Sequence, residues 1–241
     1  MKIIASIDNL HTQVKANRWI GYFTIFCRIA LAAGFLPSGY VKIIGERFTD
    51  LHNNQPMGHY LEALHHTGYY YTFIGILQIT AAVLLLIPPT ALLGALLYFP
   101  IILNICILSL AVRFEGSLLT APLMVIANLY LLCLDYDKLK FIFPFNKPVL
   151  ASVEVSPKVI SNKFPTLFFA GVFATVVLWG VIITHVYDIM PRNTIKGCKT
   201  QCDDNANPNA CNTFCESIHL KGETLDKSLD AYHEALKKTK H

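Results

Sequence analysis

Long apolar runs alternate with short polar stretches along most of this chain, and the alternation stops near residue 190. Five runs stand out: Trp19–Leu36, Tyr71–Ile87, Ala91–Val112, Leu118–Leu134 and Thr166–Val186. Each is roughly 17 to 22 residues long, close to the ~20 that a helix needs to cross a hydrocarbon core. Helices are expected because backbone groups in lipid must find partners within their own segment. Only Pro88-Pro89-Thr90 separates the second and third runs, which predicts a tight antiparallel hairpin.

The stretches outside the runs carry their own periodicity. Residues 1–18 place Ile3, Ile4, Ile7, Leu10 and Val14 near helical spacing, as an amphipathic helix lying on a membrane surface would. Between the first two runs, Pro56 suits a helix start and Gly68 a stop, with Met57, Tyr60, Leu61 and Leu64 as the apolar stripe. Residues 135–165, with Pro144, Pro148 and Pro157, read as irregular connection. Near the end, Leu225, Leu229, Tyr232 and Leu236 fall on one seam that needs a partner, either the rest of the tail or another protein. The expected fold is all-α: a polytopic membrane helix bundle over 19–190, preceded by the interfacial segment 1–18 and followed by a polar helical tail, 191–241.

Composition agrees. Hydrophobic residues make up 54% of the chain and charged residues 15%, against about a quarter charged in soluble domains. The net charge of +4 is too small to point to nucleic acid. Its distribution is more informative. With five spans the termini lie on opposite sides. If the N-terminus is inside, the inner segments hold eight basic residues (Lys2, Lys15, Arg18, Lys138, Lys140, Lys147, Lys158, Lys163) and the outer loops three (Lys42, Arg47, Arg113). The positive-inside rule then favours a cytoplasmic N-terminus and an outward tail, in a bacterium the inner membrane and the periplasm.

That orientation bears on four of the seven cysteines. Cys198 and Cys202, and Cys211 and Cys215, are i, i+4 pairs, each on one face of a short helix. Two such helices folded back on each other predict the nested bridges Cys198–Cys215 and Cys202–Cys211, in a compartment where thiols oxidise. A closed four-thiolate zinc site and an exchanging redox pair are the alternatives. Cys27, Cys106 and Cys133 are single and read as small hydrophobes.

Polar groups inside spans are costly, and therefore candidates for function. Arg28 lies near the middle of the first run, as a ligand for a quinone carbonyl, a lipid phosphate or an acidic side chain, or as a structural arginine on helix carbonyls. Lys42 and Glu46 are spaced for a local ion pair. Gln78, Asn104 and Asn128 read mainly as helix–helix glue. His59, His66 and His185 are weak metal candidates, since no HExxH or haem-attachment motif accompanies them. Phosphate-loop, dinucleotide and nucleophile-elbow motifs are missing too.

Residues 28–48, "RIALAAGFLPSGYVKIIGERF", resemble the DoxX-like family of small membrane proteins. The family pattern is an arginine in the first span, then G-x-x-K and an aromatic, matched here by Arg28, Gly39, Lys42 and Phe48. Gln78 stands where many relatives have glutamate. The resemblance spans roughly 19–140 and implies a four-helix core, here with a fifth span added. It also implies a redox or respiratory setting. The function expected is a non-catalytic accessory subunit of a larger inner-membrane complex, with the tail as docking module and other subunits and lipids as partners. Arg28, Lys42, Glu46 and Gln78 would line its polar site. A quinone-linked oxidoreductase with that site between the first two spans is the alternative, and a transporter or export receptor a further one.

Overall fold

The computed structural model describes residues 14–139 and 161–239. Most of the expected N-terminal helix and of the 135–165 connection lies outside these residues.

Helix α1 covers Arg18–Ile43, with Asn17 as its cap: the Asn17 side chain accepts from the backbone N–H of Trp19 and Ile20. It runs straight through Pro37, where the sequence pattern had placed the end of the first span. A proline inside a helix removes one donor and crowds one carbonyl. Here its ring faces outward and is exposed, and in lipid an interrupted helix would leave more backbone groups unpaired than a continuous one does. The added turns carry Ser38, Gly39 and Lys42 into the bundle.

Helix α2 is Pro56–His65, and α3 is Tyr69–Leu86. A single helical turn, Pro88–Thr90, joins α3 to α4, Ala91–Ala111. Thr90 closes that turn by donating its hydroxyl to the Leu84 carbonyl at 3.0 Å. The hairpin is tight because Gly94 has no side chain: a Cβ there would lie 2.6 Å from the Leu85 nitrogen. Helix α5, Thr120–Leu134, has 15 residues, about 22 Å of rise. It is shorter than the ~20 residues of a full span. Even so, the Ser109 and Ser117 hydroxyls meet at 2.6 Å at one end, and those of Thr24 and Tyr130 at 2.9 Å toward the other. Among the described residues four helices are long and apolar enough to cross a membrane: α1, α3, α4 with its leading turn, and α6, Thr166–Val186. The chain is that of a membrane protein.

Phe35 and Tyr98 stack with ring centres 3.6 Å apart at the heart of the α1–α3–α4–α5 bundle, among Leu31, Ala81, Ala82, Leu85 and Ile102. Polar atoms there are bonded across helices. Tyr98 donates to the Leu31 carbonyl, and Asn128 to that of Ala95. Such bonds replace the hydrophobic drive that lipid does not supply. Helix α6 stands apart and has no buried residue. It is held at its two ends: Trp19 and Phe23 meet Phe164, Phe168 and Phe169 at one, and Tyr187 donates to the Leu110 carbonyl at the other.

The tail holds α7, Ile195–Thr200, α8, Pro208–His219, and α9, Leu225–Thr239. The bridges are Cys198–Cys215 and Cys202–Cys211, the nested pairing. Leu225 and Tyr232 of α9 are buried against Phe214, Ile218 and the bridges, and the Ser217 hydroxyl donates to that of Ser228. The seam on α9 thus finds its partner within the tail. Arg113 reaches Asp188 at 3.3 Å and the Ile189 carbonyl at 2.6 Å, and Arg192 pairs with Glu115 at 2.6 Å. Asn54 donates to the His219 carbonyl, and Gln55 to that of Asn193. The tail therefore caps the end of the bundle where α1 finishes. At the opposite end Lys15 pairs with Asp137 at 3.0 Å.

Candidate functional site

Two glycines set the geometry where α1 crosses α3. A Cβ on Gly39 would lie 2.8 Å from the Gly75 carbonyl oxygen, and one on Gly75 2.7 Å from that of Gly39. Backbones this close bring the neighbouring positions, Ser38 and Lys42 on α1 and Gln78 and Tyr71 on α3, into one buried cluster.

Lys42 is only 6% exposed. Its ammonium donates to the Ser38 carbonyl at 3.0 Å and to the Ser38 hydroxyl at 2.7 Å. That hydroxyl in turn donates to Gln78 Oε1 at 3.3 Å. The ammonium also lies 4.4 Å from the centre of the Phe48 ring and 5.8 Å from that of Tyr71. Cation–π attraction gains strength where water is excluded, up to about 2 kcal/mol. Tyr71 pins the chain that brings Phe48 back: its hydroxyl accepts from the Phe48 N–H and donates to the Glu46 carbonyl, both at 3.1 Å. The His65 ring stands edge-on to Tyr71, and its buried Nδ1 has no partner among the described residues. Alongside, the Arg47 guanidinium lies 3.1 Å from Glu62.

The expected Lys42–Glu46 ion pair is absent. The Glu46 side chain is exposed, and only its carbonyl takes part. Among the described residues no carboxylate pairs with Lys42. The reason is the helix: with α1 extended to Ile43, Lys42 points inward while Glu46 lies beyond the helix end. Nor does Arg28 join the cluster. It lies fourteen residues earlier on the same helix, about 21 Å away along the axis. Its buried Nε has no partner among the described residues. Of the four polar candidates, the structure brings together Lys42 and Gln78.

Ser38 and Tyr71 escaped the sequence reading. Ser38 is i−4 to Lys42, a relation that exists only because α1 continues through Pro37. Tyr71 is one of three consecutive tyrosines, and nothing local separates it from the exposed Tyr69 and Tyr70. The histidines do not converge: His66 Nδ1 is 3.5 Å from Glu62, and His185 bonds to Thr184 and the Val181 carbonyl of its own helix. Among the described residues only Cys202, Cys211 and Cys215 group tightly enough for a metal, and their sulfurs belong to the bridges.

Chemically, the cluster offers a buried cation flanked by aromatic faces and an amide. Such a set suits a carbonyl or anionic oxygen presented from the bilayer. No family model matches this chain, and no solved structure does. Over 135 residues, 53% of this chain, it is 35% identical to "Uncharacterized protein YwoB" of Bacillus subtilis (strain 168), 85% of which the match covers.

Proposed function

The chain belongs to the YwoB family, and we propose that it is a non-catalytic accessory subunit of a larger assembly in a bacterial inner membrane. The observation that carries this reading is α6. This helix is long and apolar enough to span, is clamped to the bundle at both ends, and has no buried residue among those described. Its outward face, with Phe173, Val177, Leu178 and Val181, is exposed and has the character of a surface that neighbouring spans cover. The stapled tail, bonded to the bundle through Arg113, Arg192 and Asn54, supplies a rigid docking face on the same side as the Lys42 cluster.

In this reading α1, α3, α4, α5 and α6 all span, the N-terminus is cytoplasmic and the tail is periplasmic. The basic bias of the N-terminal end supports that orientation. Two aromatic belts, with Trp19 and Tyr22 at one end of α1 and Tyr40, Tyr69 and Tyr70 at the other, suit the two interfaces of a span. Trp19 and Tyr40 are separated by about 31 Å of helix, close to the ~30 Å thickness of a hydrocarbon core. The resemblance to DoxX-like proteins, carried by Arg28, Gly39, Lys42 and Phe48, favours a redox-linked complex.

Lys42 favours one second reading. A buried cation between two aromatic rings fits a quinone headgroup, and a quinone-linked oxidoreductase would place it there. Native mass spectrometry of the protein extracted in mild detergent from its own membrane separates the two. Additional subunits of defined mass support the accessory reading. A lone chain with a quinone-sized excess mass, lost in Lys42→Met, overturns it in favour of the enzyme.

A further inference from the structure

Among the described residues α6 meets the bundle through aromatic contacts and a hydrogen bond at its ends, and a groove of about 780 Å³ opens between it, α1 and α5. Its walls are apolar, with Phe26, Ala30, Met124, Phe168, Gly171 and Val176 among them. The lining residues of α5 run from Thr120 to Tyr130, about 15 Å of helix. A methylene takes about as much room as a water molecule, about 30 Å³, so the groove admits roughly 26 methylenes, or one to two acyl chains. Its length and apolar walls suit an acyl chain.

The mouth at the Trp19 end selects the headgroup. Arg18 precedes Tyr22 by one turn and the groove residue Phe26 by about two, which puts the cation at the Trp19 end of the groove. Arg18 is exposed, and among the described residues its guanidinium donates to the Tyr22 hydroxyl, at 2.8 Å, and lies 5.6 Å from that ring. Asn17 donates to the Lys163 carbonyl at 2.8 Å, which brings a second exposed cationic residue to the same end. Neither cation has an ion-pair partner among the described residues. Trp19, packed on Phe164 with ring centres 5.3 Å apart, marks this rim as headgroup depth.

We propose that the groove between α1, α5 and α6 is a binding site for an anionic phospholipid, its acyl chain lying along Phe26, Met124 and Gly171 and its phosphate held by Arg18 and Lys163. Basic rims between spanning helices are suited to anionic headgroups. The lipid completes the packing of α6, which the chain alone leaves open. This site is separate from the Lys42 cluster and does not depend on the accessory-subunit reading.

The test uses the full chain, delipidated in mild detergent and titrated with phosphatidylglycerol or with phosphatidylcholine of the same chains. Bound lipid is counted by native mass spectrometry. A Cβ on Gly171 meets nothing within 4 Å, and neither does one on Gly180, which does not line the groove. Gly171→Phe fills the groove and is expected to lower phosphatidylglycerol occupancy at least tenfold, while Gly180→Phe leaves it unchanged. The double variant Arg18→Gln, Lys163→Gln is expected to abolish the preference for phosphatidylglycerol over phosphatidylcholine. Equal occupancy in Gly171→Phe and Gly180→Phe overturns the site. Equal retention of both lipids by the unsubstituted chain overturns the headgroup assignment, and a co-purified quinone displaced by Gly171→Phe overturns the phospholipid.

Discussion

The Lys42 ammonium lies 4.4 Å from the centre of the Phe48 ring, six residues further along and beyond the end of α1. A buried cation is held here by an aromatic face and a serine instead of a carboxylate. Removing one partner of a buried charged cluster costs more than replacing the charge by an apolar group of similar shape. Phe48→Ala should therefore destabilise the protein by about 1–2 kcal/mol, whereas Lys42→Met should change stability by less than about 1 kcal/mol. Thermal unfolding in detergent, followed by tryptophan fluorescence, compares them. If Lys42→Met unfolds more readily than Phe48→Ala, the cation is a structural necessity and this account of the cluster is wrong.

The Gly39–Gly75 crossing makes a second prediction. Gly39→Ala puts a Cβ against the Gly75 carbonyl at 2.8 Å and should cost about 1–3 kcal/mol through overpacking. Gly21→Ala on the same helix meets nothing within 4 Å, and should gain up to about 1 kcal/mol from helix propensity. Opposite signs for the two changes are expected, and matching signs would remove the close crossing as the cause.

The bridges should hold the tail and not the bundle. Each closes a short loop in a segment with little core of its own, and such bridges contribute about 2–4 kcal/mol. Reductant should open residues 191–239 to proteases while the helices of the bundle stay protected. Alkylation of intact cells without reductant should label none of Cys198, Cys202, Cys211 and Cys215. Labelling of all four would refute the bridges.

The joint between tail and bundle should weaken in acid. Burial pushes the Asp188 carboxyl up, but the hydrogen bonds and charges of His233 and Arg113 outweigh it and hold the group below its ordinary value. A carboxyl lowered by folding stabilises the fold fully above its unfolded value, about 3.9. That stability is lost as pH falls through the lower folded value. Asp188 is half exposed, so solvent screening limits the effect to less than about 1 kcal/mol. Protection from hydrogen exchange at residues 187–192, taken relative to the intrinsic rate at each pH, should fall as the pH drops below about 4, and Asp188→Asn should flatten that fall. An unchanged slope in Asp188→Asn assigns the acid response elsewhere.

What the order of residues decides by itself is local. Four of the five apolar runs form helices of spanning length, with Thr166–Val186 ending where the hydropathy does, because length and apolarity are properties of each run alone. The bridges follow from i, i+4 spacing and a polar turn, again local geometry. Lys42 and Gln78 were legible as costly polar groups. Their partners were not, because Ser38 and Tyr71 become neighbours only where Gly39 and Gly75 let two helices touch. Tertiary structure also decided that Pro37 lies inside α1, since the gain from packing the following turns on α3 exceeds one lost hydrogen bond. It separated Arg28 from the Lys42 cluster by several turns of a rigid helix. It gave the α9 seam its partner in Phe214 and Ile218, and it left α6 open along a groove. Which faces meet depends on contacts distant in sequence, and those carry no signature in any single segment.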